Sequence, residues 1–425
     1  MKWQASKADP HAIIANLIRK IDKPEDAAFA RELFFGTIKF KRKVDYFANN
    51  FYTSKNLEPK LKQVLRLGFY QLLKADNIPT YAVVSESVEL ARKFCASRQA
   101  GFINAVMRSF LRQPEKVKLP NPEYQPVKYL GLEHSYPDWL VSRYLKKFGY
   151  EETEKLLTWG NTPPDLCFYI NDRNSSQQEV LKQLDSLNIG FERLDSFDGY
   201  YKCLTPHLLL RSKPFESGTI IIGDPAQGLA AKALDVSLGD IVIDLFAAPG
   251  GKTASLSGRV GTDGYIIAAD NSLKRLKLLK SNIKRWRLDN VFPVCCDTFK
   301  FASRRNFKYI LADVPCSGTG TIRRNPDLRW NLQEADITRQ AKRQARLIKT
   351  AVGMLKPGGK LVYSTCSLEP EENNQVVEDF LKQNKGYRLL DLSEHEKFVS
   401  QSGFLELIGH RHLSDGAFVA LIERK

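Results

Sequence analysis

The 425-residue chain has no uninterrupted apolar run long enough to cross a bilayer. Its first residues, Met1 to Lys7, lack the apolar core that a secretory signal requires. Both absences point to a cytoplasmic protein with no membrane partner. No Cys-x-x-Cys pair occurs, and the seven cysteines are an odd number. Neither a disulfide framework nor a metal site is therefore expected. Cys95, Cys167, Cys203, Cys295 and Cys296 read as small buried apolar residues. The chain also lacks internal repeats, low-complexity tracts and the Gly-x-Gly-x-x-Gly dinucleotide fingerprint.

Acids are scarce in the N-terminal part. Residues 1–118 hold 22 Lys plus Arg against 11 Asp plus Glu, a net of +11 out of +16 for the whole chain. A surplus of that size, confined to one region, suits a polyanionic partner, and nucleic acid is the first candidate.

The apolar pattern divides the chain into three parts, so a multidomain protein is expected. Residues 9–113 are helical by period, as in Leu61, Val64, Leu65, Phe69, Leu72 and Leu73 on one face, with breakers at Lys23-Pro24 and Asn77-Ile-Pro79. Pro114, Pro120, Pro122 and Pro126 read as a linker. This makes residues 1–126 an all-α bundle. Residues 127–232 mix helical and strand-like pieces and are read as a small α+β connecting domain. From 233 to 425, short apolar runs alternate with helical segments. The runs are Ile241–Leu245, Tyr265–Ala269, Val291–Cys295, Tyr309–Ala312 and Lys360–Tyr363, with a last strand at Gly416–Glu423. That alternation predicts an α/β doubly wound sheet.

The chemistry sits at the ends of those strands. Asp244-Leu-Phe-Ala-Ala-Pro-Gly-Gly-Lys-Thr253 falls where the first strand of the sheet turns into its helix. Gly250 and Gly251 allow close backbone approach, and the helix start favours an anionic group. A P-loop would need Gly where Phe246 stands, so an ATP site is excluded. Asp270, Asp297 and Asp313 end the following strands, and with Asp244 they suit a nucleoside cofactor bearing a free amino group, S-adenosyl-L-methionine.

Two cysteines stand apart from the rest. Cys316 lies in Asp313-Val-Pro-Cys-Ser-Gly-Thr-Gly320, and Cys366 in Tyr363-Ser-Thr-Cys-Ser367. Both follow adjacent strands at the ligand edge. A thiolate adding to carbon 6 of a pyrimidine makes carbon 5 nucleophilic, and a second thiol helps the product leave. The residues alone leave the two roles interchangeable. Arg323, Arg324 and Arg329, just after Cys316, are expected to hold RNA phosphates, and Trp330 to stack on a base or pack.

These segments, with Pro-Glu-Glu-Asn after Ser-Thr-Cys-Ser, make the chain resemble the NOL1/NOP2/Sun family of RNA cytosine-C5 methyltransferases. Phe34–Lys39, Leu67–Leu72 and Gly101–Arg108 resemble a NusB-like RNA-binding domain. The pairing is similar to the bacterial RsmB (Fmu/Sun) type, which acts on 16S ribosomal RNA.

The resemblance implies a NusB-like domain over 1–126, an RRM-like connecting domain over 127–232 and a Rossmann-like class I methyltransferase domain over 233–425. It implies Cys366 as nucleophile and Cys316 as the cysteine that assists release. It further implies that Phe246, Ala247, Ala248, Pro249, Gly250, Gly251, Lys252, Asp270, Asp297 and Asp313 contact S-adenosyl-L-methionine, with Asp313 also at the cytosine N3 edge. The implied partner of the monomer is 16S rRNA, free or in an assembling small subunit.

Departures from the family pattern are Phe246 in place of a frequent Cys, the looser Gly223–Leu229 segment, and Ala417 in place of an aromatic. The first helix of the N-terminal domain is also short. Two other readings remain open at this point, a tRNA cytosine-C5 methyltransferase and a non-catalytic RNA-binding assembly factor. An amino-group methyltransferase would carry Asn/Asp-Pro-Pro-Tyr/Phe where this chain has Asp-Val-Pro-Cys.

Overall fold

The computed structural model describes residues 9–425 apart from 55, 76, 172, 174, 302–305 and 401. The Met1–Lys7 stretch, read for a signal segment, lies outside the described residues. No helix among the described residues is long and apolar enough to cross a membrane. Helices of eight residues or more are numbered α1 to α15, and strands β1 to β12.

The chain forms two units. The first runs to Thr162 and includes Asn325–Leu332. It is helical: α1 (Pro10–Ile18), α2 (Pro24–Lys39), α3 (Lys41–Asn49), α4 (Pro59–Lys74), α5 (Thr80–Phe94), α6 (Ser97–Arg112), α7 (Pro126–Glu133), α8 (Asp138–Phe148) and α9 (Tyr150–Trp159). Pro24, Pro59 and Pro126 each open a helix, where the missing N–H has no intrahelical partner to lose. The expected stripe on α4 is the core: Leu61, Val64, Leu65 and Phe69 pack with Val44, Val83, Ile103, Met107 and Phe110.

This unit extends beyond the proline-rich stretch and takes in α7 to α9. Polar contacts tie them in. Arg42 N–H donates to Ser135 Oγ at 3.0 Å, Lys43 pairs with Glu133 at 2.6 Å, and Tyr46 Oη donates to the Lys118 carbonyl at 2.7 Å.

The second unit holds Pro163–Arg324 and Gln333–Lys425. It begins with a four-stranded antiparallel sheet in the order β2 (Phe191–Arg193), β3 (Tyr200–Cys203), β1 (Leu166–Ile170), β4 (Ile220–Ile222). α10 (Gln177–Ser186) covers it, with Val180 and Leu184 against Phe168, Tyr201 and Ile220. Ser176 caps that helix and Glu179 bonds back to the Ser176 N–H, a capping box.

The remaining elements are α11 (Pro225–Ala233), β5 (Ile241–Asp244), α12 (Gly251–Val260), β6 (Tyr265–Asp270), α13 (Leu273–Trp286), β7 (Val291–Cys295), β8 (Phe307–Asp313), α14 (Glu334–Gly353), β9 (Leu355–Thr365), α15 (Asn374–Gln383), β10 (Tyr387–Leu389), β11 (Leu405–Leu407) and β12 (Ala417–Arg424). The sheet order is β10-β12-β9-β8-β5-β6-β7, with β11 beside β12. β9, β8, β5, β6 and β7 are parallel, and β12 and β10 run against them. This is the doubly wound methyltransferase fold.

Alternate side chains feed two cores. Val242, Leu311, Val362, Val419 and Leu421 enter one, while Ile243, Ile310, Leu361, Phe418 and Ala420 enter the other. A sheet buried on both faces explains why these strands read as continuous apolar runs.

One cysteine departs from expectation. Cys167 and Cys203 are buried and Cys95 and Cys296 partly so, but Cys295 is exposed. It lies on β7, the edge strand, where one side of the ladder has no neighbour.

Candidate active site

Parallel pairing brings the C-terminal ends of β5, β6, β8 and β9 to one edge. After β5, the loop to α12 is short and held in place. Asp244 is fully buried and closes it: Oδ2 accepts from Thr253 Oγ1 at 2.7 Å and Oδ1 from the Phe246 N–H at 3.3 Å. Burial, opposed by the Thr253 bond, pushes the Asp244 carboxyl up to about 6. Gly250 has φ +112°, and a Cβ there would strike Leu279 Cδ1 at 2.7 Å. The Ala248 carbonyl accepts from Arg275 and the Pro249 carbonyl from Asn282 at 2.9 Å, so α13 fixes the loop from outside.

Asp270 ends β6 and is 2% exposed. Its Oδ1 accepts from the Ser272 N–H at 2.9 Å. Arg275 Nη1 stands 3.3 Å from Oδ2 but is not aligned to donate, and Oδ2 has no hydrogen-bond partner among the described residues. A buried carboxylate oxygen left in this way fits a site that receives hydroxyl donors from a ligand. Asp297 is exposed after β7 and caps a short turn through the Phe299 N–H at 3.0 Å.

The register of β8 on β9 sets Asp313 opposite Ser364. Three residues on from one and two from the other, Cys316 and Cys366 meet, with their Sγ atoms 3.0 Å apart. Asp313 lies at the same edge. Its Oδ1 accepts from Ser364 Oγ at 2.7 Å, and its Oδ2 pairs with Lys252 Nζ at 2.6 Å. Burial works against the Lys252 charge, but Asp313 outweighs it, and the ammonium is held above its ordinary range. The Cys316 thiol is raised well above its ordinary value, first by its hydrogen bond to Cys366, then by burial and the charges of Cys366, Glu372 and Asp313.

Residues 231–423 match the family described as 16S rRNA methyltransferase RsmB/F, residues 2–112 the NusB family, and residues 136–199 a ferredoxin-like domain of the RsmF/B-like methyltransferases. The probable ribosomal RNA small subunit methyltransferase B of Synechocystis sp. is 31% identical, over 94% of this chain and 92% of its own length. The ribosomal RNA small subunit methyltransferase B of Pseudomonas putida is also 31% identical, over 98% of this chain and 94% of its own. The chain belongs to this ribosomal RNA methyltransferase family. Among solved structures, PH0851 superposes with a TM-score of 0.80 at 26% identity, over 95% of this chain and 92% of that one.

The family's two cysteine segments are therefore joined here at one point. The three arginines expected on RNA are not displayed there. Arg329 is 1% exposed in the helical unit. It donates to the Gly160 carbonyl at 2.7 Å and to Asn161 Oδ1 at 2.8 Å, and its guanidinium lies 3.8 Å over the Tyr136 ring. Trp330 packs in the same unit, with Nε1–H donating to the Ile38 carbonyl at 2.7 Å. Arg323 is 8% exposed and pairs with Asp165 at 3.0 Å. Arg324 bridges Asp224 at 2.7 Å and Asp415 at 2.8 Å. Their guanidinium groups are engaged within the protein, by Asp165, by Asp224 with Asp415, and by the Gly160 carbonyl.

Sequence reasoning gave no role to Glu372, Gln344, Ser317 and Ser367, which form one buried network behind the thiols. The Pro-Glu-Glu-Asn segment was the available signal.

Proposed function

We propose that this protein transfers a methyl group from S-adenosyl-L-methionine to carbon 5 of a cytosine in 16S ribosomal RNA, through a covalent bond from Cys366 Sγ to carbon 6. The observation that carries the reading is the 3.0 Å approach of two cysteine sulfurs at the strand edge that also holds Asp313.

Carbon 5 of cytosine is too weak a nucleophile to react unaided. Addition of Cys366 sulfur to carbon 6 pushes an electron pair onto carbon 5. N3 takes a proton from water as charge builds there, and Asp313 is the group assigned to accept a hydrogen bond from that edge. Ser364 and Lys252 hold its two oxygens. S-adenosyl-L-methionine, when bound, supplies the electrophilic methyl group that carbon 5 takes. Water takes the carbon 5 proton, the C–H pair re-forms the bond between carbons 5 and 6, and the carbon–sulfur pair returns to Cys366. Cys316, as a protonated thiol, hydrogen-bonds the Cys366 thiolate before attack and again as it leaves.

The residues fit the cofactor. Gly250 and Gly251 open the backbone of the loop, and Asp270 offers a buried oxygen with no hydrogen-bond partner among the described residues for ribose hydroxyls. Asp297 and Lys252 complete the assigned set.

Cys366→Ala is expected to form no covalent RNA adduct, and Cys316→Ala to accumulate one that survives denaturation. The reverse result would exchange the two roles, and absence of adduct from both would remove the covalent step. Mapping 5-methylcytosine in RNA from a deletion strain tests the substrate, and unchanged 16S rRNA would overturn that assignment.

A further inference from the structure

The two cysteine loops are joined by a single buried side chain. Glu372 is 0% exposed and follows β9 in a short turn. Its Oε1 accepts from the Ser317 N–H at 2.8 Å and from Gln344 Nε2 at 3.1 Å. Its Oε2 accepts from both the Ser317 and the Ser367 hydroxyls. Ser317 and Ser367 directly follow Cys316 and Cys366. Gln344, itself fully buried on α14, also donates to the Pro315 carbonyl at 3.0 Å, just before Cys316. Tyr363 Oη donates to the Glu372 carbonyl at 2.6 Å, which anchors the backbone of the turn.

We propose that Glu372 is the positioning residue of the thiol pair: its carboxylate clamps the two cysteine loops against each other through Ser317 and Ser367, and it sets which sulfur carries the shared proton. Four donors on one buried carboxylate are more than a structural turn needs, and three of them come from Ser317 and Ser367, the residues that follow the two thiols. The Glu372 charge is one of those that raise the Cys316 thiol, and so it favours Cys316 as the sulfur that keeps the shared proton. The inference rests on the thiol-pair reading above and supplies what the sequence alone could not, a physical reason for the two cysteines to differ.

Glu372→Gln separates charge from geometry. The amide keeps one acceptor oxygen toward the Ser317 N–H, and its nitrogen can donate to the serine hydroxyls, which can turn to accept. Rates of iodoacetamide alkylation at Cys316 are measured against pH by mass spectrometry, in a Cys366→Ser background, with and without Glu372→Gln. This readout needs no RNA and no methyl transfer, so it stands apart from the failure of the functional reading. Glu372→Gln is expected to move the Cys316 profile to lower pH and to raise its alkylation several-fold at neutral pH. Ser317→Ala, which leaves the charge in place, is expected not to move the profile downward. Superimposable profiles with and without the Glu372 charge would overturn the proposal. So would a Glu372→Gln protein that fails to fold, since the residue would then be scaffold.

Discussion

Gly320 is where the cysteine loops come closest to a third segment, and replacing it with alanine probes how tightly the site is held. The Gly320 N–H donates to the Cys366 carbonyl at 2.9 Å, and its own carbonyl accepts from the Gly416 N–H at 2.9 Å. A Cβ at this position would lie 2.5 Å from the Gly416 oxygen and 2.8 Å from the Cys366 oxygen. Both are backbone atoms and cannot rotate away. Relieving the first contact to 3.0 Å requires a shift of about 0.5 Å, which is the tolerance of a catalytic constellation. Overpacking of this kind costs about 1–3 kcal/mol in stability. Displacing the Cys366 backbone by that distance should lower the turnover number about 10- to 100-fold. The assay is single-turnover transfer of radiolabelled methyl to unmethylated 16S rRNA, alongside a thermal melt. Gly101→Ala is the control, since a Cβ there meets nothing within 4 Å. It lies in α6, so a gain of up to about 1 kcal/mol is expected. A Gly320→Ala enzyme with unchanged rate and melting temperature would refute the reasoning.

Other outcomes are expected as follows. Asp244 is a buried acid whose folded-state pKa, about 6, exceeds its ordinary value of 3.8; its charge therefore costs stability above about pH 6, and the cost disappears as pH falls below the ordinary value. Asp244→Asn should accordingly stabilise β5 by about 1–3 kcal/mol at pH 7.5 and by nothing near pH 4; hydrogen exchange of β5 amides at the two pH values checks this, and an equal gain at both would contradict it. Asp270→Asn should weaken S-adenosyl-L-methionine binding about 10- to 100-fold in calorimetry, as expected for losing a charged acceptor to hydroxyl donors. Arg329→Met should destabilise the helical unit by about 2–5 kcal/mol, because the Gly160 carbonyl and Asn161 lose a buried donor. The same variant should leave the salt dependence of RNA binding unchanged, whereas a lost phosphate contact would lower the slope by about one.

Much of this was legible in the chain. Every run expected as a strand of the large sheet is one, because a parallel sheet covered on both faces demands continuous apolar segments. The short strands β10 and β11, with three residues each, carry too little pattern to be read. The basic helix α13 buries Leu276, Leu279 and Trp286. The intramolecular partners of Arg323, Arg324 and Arg329 were not legible, for a physical reason. A basic run beside a site looks the same in sequence whether its charges face solvent or neutralise buried acceptors, and only the positions of Asp165, Asp224, Asp415 and the Gly160 carbonyl distinguish the two.

By itself the sequence determined the class of fold and marked out two cysteine segments at the ends of adjacent strands, because strand ends and glycine turns are local properties. The tertiary structure alone decided that those cysteines, fifty residues apart, touch. That follows from the β8–β9 register and from Glu372 drawing Ser317 and Ser367 onto one carboxylate. Such a contact depends on non-local pairing and on a buried charge that is stable only when all its donors arrive together.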